Sequence, residues 1–316
     1  MRWLVLGGSG FVGSAVLRTL HAAGIDAHAL PAPRLATTAD APQALLAAAD
    51  ATDTTGLEAA MAAYDVVVNA AGLATPSATA GADLLGANAL LPAVLARAAS
   101  AAGARRLVHL SSAAVQGRTP LLDETGTVRP FSAYSRSKAL GEQVLDLVAA
   151  REQSLSVVTV RATSVQGEGR PTTAALARLA RSNLASVASP GTARSPITSV
   201  DSLADLVLAL GAHPGALPAR VLQPWEGLTV RTVLEAAGGH PRVLPAALCR
   251  AAVRGGYVVS SLVRGRLDGH VRRVELMWFG QDQAPGWADA QGLTPTARIR
   301  EVLAGADRAA KDARGL

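Results

Sequence analysis

Tyr134-Ser135-Arg136-Ser137-Lys138 places a phenol and an amine four residues apart. On a helix that spacing puts both on one face, one turn apart. A free tyrosine titrates near pH 10, so proton transfer by Tyr134 at neutral pH requires nearby positive charge, which Lys138 supplies. Upstream, Ser111-Ser112 ends the apolar run Leu107-Val108-His109-Leu110, where a hydroxyl could orient a reacting oxygen. At the start of the chain Gly7-Gly8-Ser9-Gly10-Phe11-Val12-Gly13 follows the apolar run Arg2–Leu6. Glycines at 7, 10 and 13 allow a tight turn and close approach of backbone to a pyrophosphate, whose charge suits a helix N-terminus. Gly7, Gly10, Phe11, Val12 and Gly13 are thus read as a dinucleotide-binding turn.

Positioning these groups requires strands alternating with helices. The expected strands are Arg2–Leu6, Ile25–Leu30, a short one ending before Asp50, Val66–Asn69, Leu107–Leu110 and Val157–Arg161. The expected helices are Phe11–Ala23, Thr55–Tyr64, Ala82–Ala102 and Ser132–Ala150. This is an α/β pattern of a Rossmann-like doubly wound parallel sheet, whose ligand crevice lies at the carboxyl ends of the strands. The dinucleotide-binding domain is expected over residues 1–165. From 166 to 316 Pro/Gly-rich connectors such as Gly167–Pro171, Ser189–Pro196 and His213–Pro218 break the alternation, which predicts a smaller C-terminal substrate-binding lobe, some of whose segments return to the first domain.

Hydrophobic residues make up 49% and charged residues 17% of the 316-residue chain, which excludes a disordered or highly charged protein. The single cysteine, Cys249, excludes a disulfide framework and a multi-cysteine metal site, and a reducing, cytoplasmic setting is the simpler expectation. No uninterrupted apolar run reaches bilayer length, and Arg250, Arg254 and Arg264 punctuate the apolar segment near the C-terminus, so no membrane partner is expected. The net charge of +6 is scattered among four Trp, three Tyr and three Phe, without the aromatic-interleaved basic stripe of a nucleic-acid surface. No metal is expected.

The three-residue step from Gly7 to Gly10, together with Ser112, Tyr134 and Lys138, resembles the short-chain dehydrogenase/reductase superfamily. The text Leu107–Gly117 is similar to its extended branch, the NAD-dependent epimerase/dehydratase family of nucleotide-sugar epimerases, dehydratases and ketoreductases. The resemblance implies Ser112 rather than Ser111 on the reacting oxygen, Tyr134 as proton carrier, and Lys138 on the phenol and the nicotinamide ribose. His109 reads as a core residue. Asp50-Ala51 resembles the pair that meets the adenine amino group, the other reading being an exposed loop aspartate. Asn69-Ala70-Ala71-Gly72 resembles the segment whose small residues (Ala70, Ala71, Gly72) let backbone lie against the cofactor, or pack.

The cofactor is NADP or NAD. Leu30 is followed by Pro31-Ala32-Pro33-Arg34, so the acid that holds ribose hydroxyls in NAD-preferring members is missing. Arg34 either pairs with a 2′-phosphate or is a surface arginine, and NADP is favoured slightly. Sugar-nucleotide dehydratases place Asp-Glu after the active-site hydroxyl residue, whereas Ala113-Ala114 stands here, which disfavours dehydration. Ser164 replaces an asparagine that meets substrate diphosphate, and Arg194 is offset by about one residue from a diphosphate-gripping arginine, its alternative being a surface salt bridge. A small-molecule substrate, a nucleotide-activated sugar or related carbonyl compound, is expected, with a ketoreductase ahead of a 4-epimerase and a non-catalytic dinucleotide sensor third. The family's helix-pair dimers make a homodimer the expected assembly if one forms.

Overall fold

A computed structural model describes residues 1–73, 81–293, 295 and 297–312, with side chains to residue 308. In order, β1 (Arg2–Leu6), α1 (Phe11–Ala22), β2 (Asp26–Leu30), α2 (Pro42–Asp50), α3 (Thr55–Met61) and β3 (Val66–Asn69) lead into α4 (Ala82–Leu85), a π-helical turn (Gly86–Leu90) and α5 (Leu91–Ala101). β4 (Arg106–Ser112), a 3-10 turn (Ala113–Gln116), β5 (Leu121–Leu122), α6 (Ala133–Arg151) and β6 (Ser156–Ala162) follow. The second half carries β7 (Ser164–Gln166), α7 (Pro171–Ala180), β8 (Ser186–Ala188), β9 (Ile197–Ser199), α8 (Val200–Ala212) and β10 (Arg220–Leu222). It ends with α9 (Val230–Ala236), β11 (Arg242–Leu244), α10 (Ala246–Leu262), α11 (Asp268–Phe279), β12 (Asp282–Gln283), α12 (Trp287–Ala290) and α13 (Ile299–Asp312).

The main sheet has six parallel strands in the order β10-β6-β4-β3-β1-β2. Its central strands are fully apolar runs such as Val66, Val67 and Val68, because helices cover both faces. On one face α1 and α8 pack Val16, Leu20, Leu203 and Val207 against Val5, Val68 and Val160. On the other, α2, α5 and α6 pack Leu45, Leu95 and Val144 against Leu4, Val67 and Leu107. A separate cluster around Val187, Val233, Leu234 and Leu303 forms the core of the C-terminal lobe. α8 and β10 are exceptions in that half of the chain, since both return to the main sheet.

The register aligns Leu6 with Asn69, Asn69 with His109, and Ser112 with Ala162. The carboxyl ends of β1, β3, β4 and β6 therefore share one edge. Strand order reverses between β1 and β3, which is where such sheets open a crevice for ligands.

One expectation fails. The segment before Asp50 is a helix, α2, rather than a third strand. Pro42 supplies the preset φ of a first helical turn, the run Gln43–Ala49 is made of strong helix formers, and Leu45, Leu46 and Ala49 bury one face against α5 and α6.

Candidate active site

The glycine turn is built as a cradle. Gly7 has φ +78°, the left-handed region glycine favours, and a Cβ there would lie 2.7 Å from the Ala71 nitrogen. A Cβ on Gly13 would meet the Gly7 carbonyl oxygen at 2.2 Å, so the start of α1 is pressed onto the turn. The Gly10 N–H donates to the Gly7 carbonyl at 2.9 Å. No side chain caps α1 and no acid lies in its first turn, leaving its positive end open to an anion. These features fit the pyrophosphate of a dinucleotide. Val12, half-buried, packs against the core beside Phe11.

The wall opposite the turn is residues 70–73, held from two sides. Asn69, fully buried, accepts the Ala71 N–H at its Oδ1 (3.1 Å) and bonds His109 Nδ1 through Nδ2 (3.1 Å). Burial pushes the His109 pKa well down, aided by the Lys138 charge, so the imidazole is neutral and serves as a core hydrogen-bonding group. Asn88, in the π-helical turn, accepts the Leu73 N–H (3.0 Å) and donates to the Leu73 carbonyl (2.9 Å) and to Ser137 Oγ (3.0 Å). Gly72 backs onto α6: a Cβ there would lie 3.1 Å from Lys138 Nζ.

The three polar candidates meet at the end of β4. Ser132 begins α6 by accepting the Ser135 N–H, the reciprocal arrangement of a capping box, which sets Tyr134 in the first turn. The Ser112 hydroxyl accepts the Ala114 N–H (3.2 Å) and lies close enough to the Tyr134 phenol to favour its ionised form. Burial raises the phenol's pKa, opposed by Ser112 and by the charge of Arg170. Lys138, buried, donates to the Leu110 carbonyl at 2.9 Å, and burial brings its pKa down to about 8 against the upward pull of Glu142.

A stability measurement checks the lysine's burial. Its folded pKa of about 8 lies below the ordinary 10.5, so the fold disfavours the ammonium. Stability from this group is complete above pH 10.5 and is lost as pH falls through 8. In denaturant titrations the parent should gain on Lys138→Met as pH rises from 8 to 10.5. Parallel pH profiles would show that the ammonium is solvated.

Beneath the crevice lies a buried ionic network. Ser111 Oγ donates to Glu142 Oε1 (2.6 Å), Arg161 grips the same carboxylate (2.7 Å for Nη2 to Oε2), and Arg220 joins it (3.3 Å). Ser111 therefore faces the network and Ser112 the crevice, as alternation along β4 requires. The sequence reading missed Glu142, though its place four residues after Lys138 is a helical signal. It also missed Asn88, whose only signal is a lone amide in an apolar helix, and Arg170. Arg170 lies 4.7 Å over the Phe11 ring and within electrostatic reach of Tyr134.

Other expected residues are dispersed. Arg34 is exposed on the loop after β2, which is anchored nearby where the Thr37 N–H donates to the Ala82 carbonyl (3.1 Å). Asp50 is not at the crevice: it ends α2, paired with Arg97 (3.2 Å) and Arg151 (3.0 Å). Arg151 is the last residue of the 19-residue α6 that carries Tyr134 in its first turn, about 25 Å away along the helix. Asp50 and Ala51, the residue capping α2, therefore cannot meet an adenine beside Gly7, because the strand meant to carry them to the edge does not form. Ser164 sits exposed at the start of β7, accepting from Gln166 Nε2 (3.0 Å). Arg194 lies 4.9 Å over the Trp225 ring and lines a cavity of about 110 Å³ beside β10, instead of forming a surface salt bridge.

Residues 3–221 match the NAD dependent epimerase/dehydratase family. The chain belongs to this family. Its epimerase/dehydratase relatives include a ketoreductase of Stigmatella aurantiaca that acts on 4-hydroxy-2-methyl-3-oxo-4-farnesyl-3,4-dihydroquinoline-1-oxide, 36% identical over 176 residues. That match covers 53% of this chain and 51% of the relative, so the chain spans about half the length of the curated protein it matches. Among solved structures, MoeE5 in complex with UDP-glucuronic acid and NAD superposes over 100% of both chains with a TM-score of 0.64 at 22% identity. The UDP-glucose 4-epimerase of Thermus thermophilus in complex with NAD covers 78% of this chain and 86% of its own, with a TM-score of 0.55 at 26% identity. Family membership and the superposition on MoeE5 agree on a Rossmann-like α/β fold for this chain.

Proposed function

We propose that the chain is a ketoreductase that uses NADP to reduce the carbonyl of a small-molecule ketone. What supports this is a phenol, Tyr134, whose pKa burial raises, set in the first turn of α6 with Ser112 near it at the end of β4. Carbonyl reduction begins with an acid that protonates the developing alkoxide, whereas epimerisation begins with a base that removes the carbinol proton. When bound, the nicotinamide supplies or accepts the hydride at the substrate carbon. Ser112 orients the substrate oxygen against Tyr134. Arg170 places positive charge within electrostatic reach of the phenol, favouring the phenolate left after the proton has moved, and Lys138 stands one turn further along α6. Gly7, Gly10, Gly13 and the 70–72 wall would hold the dinucleotide, with Lys138 at the nicotinamide ribose.

The turn after Ser112 offers Ala113 and Ala114 in place of the carboxylates that water elimination would need. The curated relative's ketoreductase activity supports the same reaction class. A second reading, nucleotide-sugar 4-epimerase, is favoured by Arg194, whose guanidinium lines a cavity where it could pair with a diphosphate. Assays of NADPH consumption on a panel of cyclic ketones, run beside UDP-glucose/UDP-galactose interconversion, separate the two. Sugar interconversion without NADPH consumption, by protein that co-purifies with NAD, would replace the first reading with the second.

The NADP preference rests on Arg34 and on the missing acid after β2. A guanidinium paired with the 2′-phosphate contributes with NADPH and not with NADH, by roughly 1.5–3 kcal/mol, or about ten- to a hundredfold in affinity. Binding titrations of both cofactors should show the parent preferring NADPH, and Arg34→Ala losing that preference. Equal small losses for both cofactors would leave Arg34 a surface residue.

A further inference from the structure

α10 is amphipathic in an unusual sense. Its buried residues are Cys249, Val253 and Ser260, while Leu248, Val258, Val259 and Leu262 are 59%, 62%, 52% and 80% exposed. At about 100° per residue, Leu248, Ala251, Ala252, Gly255, Val258, Val259 and Leu262 form a sector about 120° wide, opposite the buried face. Every residue in that sector is exposed and none has a polar side chain. The stripe continues into the turn before α11 through Val263 and Leu267. A surface helix ordinarily turns its apolar stripe to the core and its polar residues outward. Here a second apolar stripe runs the length of the helix, and no other described residue covers it.

The charges around it carry one sign. Arg250 and Arg254 border the stripe, Arg264 and Arg266 flank its end, and Arg273 projects from α11, all exposed. Residues 242–267 contain no Asp or Glu. The acids of α11 are engaged: Asp268 with Arg118 and Ser260, Glu275 with Arg272 and Tyr257. A second copy paired across a two-fold axis would bring Arg250 and Arg254 of both chains to one seam, which like-charge repulsion opposes. An aliphatic stripe bordered by arginines instead matches an anionic bilayer, with the aliphatic groups at the acyl boundary and the guanidiniums at the headgroup phosphates.

We propose that the α10–α11 hairpin docks this protein onto an anionic phospholipid surface. Docking lies in the interface plane and requires no spanning segment. The stretch Ala82–Ala101, long and apolar enough to cross a bilayer, is 72% buried inside the protein and remains a core helix. The arginines that break the apolar run in sequence are thus the groups that fit the surface. The hairpin is also tied to the loop after Ser112: Arg118 pairs with Asp268, and the Gln281 side chain donates to the Thr119 carbonyl at 2.7 Å. The proposal is independent of the reaction assigned above, since its test reads binding.

The test is co-sedimentation of the full chain with vesicles of phosphatidylcholine alone and of phosphatidylcholine mixed with phosphatidylglycerol. Two variants accompany it, Val258→Asp/Leu262→Asp and Arg254→Gln/Arg264→Gln, all four positions being exposed. The parent should pellet with the anionic vesicles and release in high salt, and each variant should partition about tenfold less or weaker. Equal pelleting with both vesicle types, or partition unchanged in the variants, would overturn the proposal. So would an absence of vesicle binding together with a dimer that Val258→Asp/Leu262→Asp converts to monomer, which would make the stripe a self-association face.

Discussion

Tyr134→Phe should lower turnover by about two to four orders of magnitude while leaving dinucleotide affinity and unfolding midpoint nearly unchanged. The substitution keeps the ring and removes only the hydroxyl that faces Ser112. The side chain lies half-buried in the first turn of α6, whose start is fixed by the Ser132–Ser135 capping box, so the backbone has no reason to move. The loss should fall on kcat, since the phenol acts on the reacting oxygen and not on the dinucleotide. Turnover within a few-fold of the parent would remove Tyr134 from the chemistry. An equal drop in cofactor affinity would point to a misfolded crevice.

Glu142→Gln should produce the largest stability loss, about 3–5 kcal/mol, out of the roughly 5–15 kcal/mol that holds a domain together. The carboxylate is 1% exposed and bonds Ser111, Arg161 and Arg220, while Arg161 is fully buried. An amide of the same shape leaves the fully buried Arg161 guanidinium without the carboxylate it grips, with the Asp123 carbonyl as its remaining charge-free acceptor. Replacing both partners, as Glu142→Leu with Arg161→Met, should recover much of the loss, because the desolvation cost of both ions disappears with the pair. Chemical denaturation of the three proteins decides it, and a single variant as stable as the parent would mean that water reaches the network. Because Glu142 pulls the Lys138 pKa upward, the Gln variant should also hold that ammonium less well, moving its titration further below about 8.

What could be read from the sequence was what local spacing determines. The interval from Tyr134 to Lys138 is one helical turn wherever that helix lies, and the glycines at 7, 10 and 13 require a turn whatever surrounds it. Strand ends were readable because runs such as Val66–Asn69 are too short and too β-branched for helices. Asp50 was misplaced because a short Ala/Leu/Gln stretch is decided by its neighbours: Leu45 and Leu46 find a groove between α5 and α6 that no local pattern reveals. Asn88 and Arg170 reach the site by close approach across long sequence separations, through the π-helical turn and the loop after β7. The periodicity of α10 identifies an amphipathic helix, but not which of its two apolar faces the rest of the chain covers.

The replacement of a strand by α2 has a last consequence, for how the protein behaves when crowded with copies of itself. β2 becomes the final strand of the sheet, an open margin of the kind that recruits foreign strands into aggregates. It is only five residues long, and its exposed side chains include Asp26 and His28, with Arg2 of the neighbouring strand paired to Asp26 at 2.9 Å. The Ala27 carbonyl is already taken by the His21 ring at 2.9 Å. Charge, shortness and an occupied carbonyl together make this margin a poor template for another chain, so the sheet can dispense with a covering strand on this side.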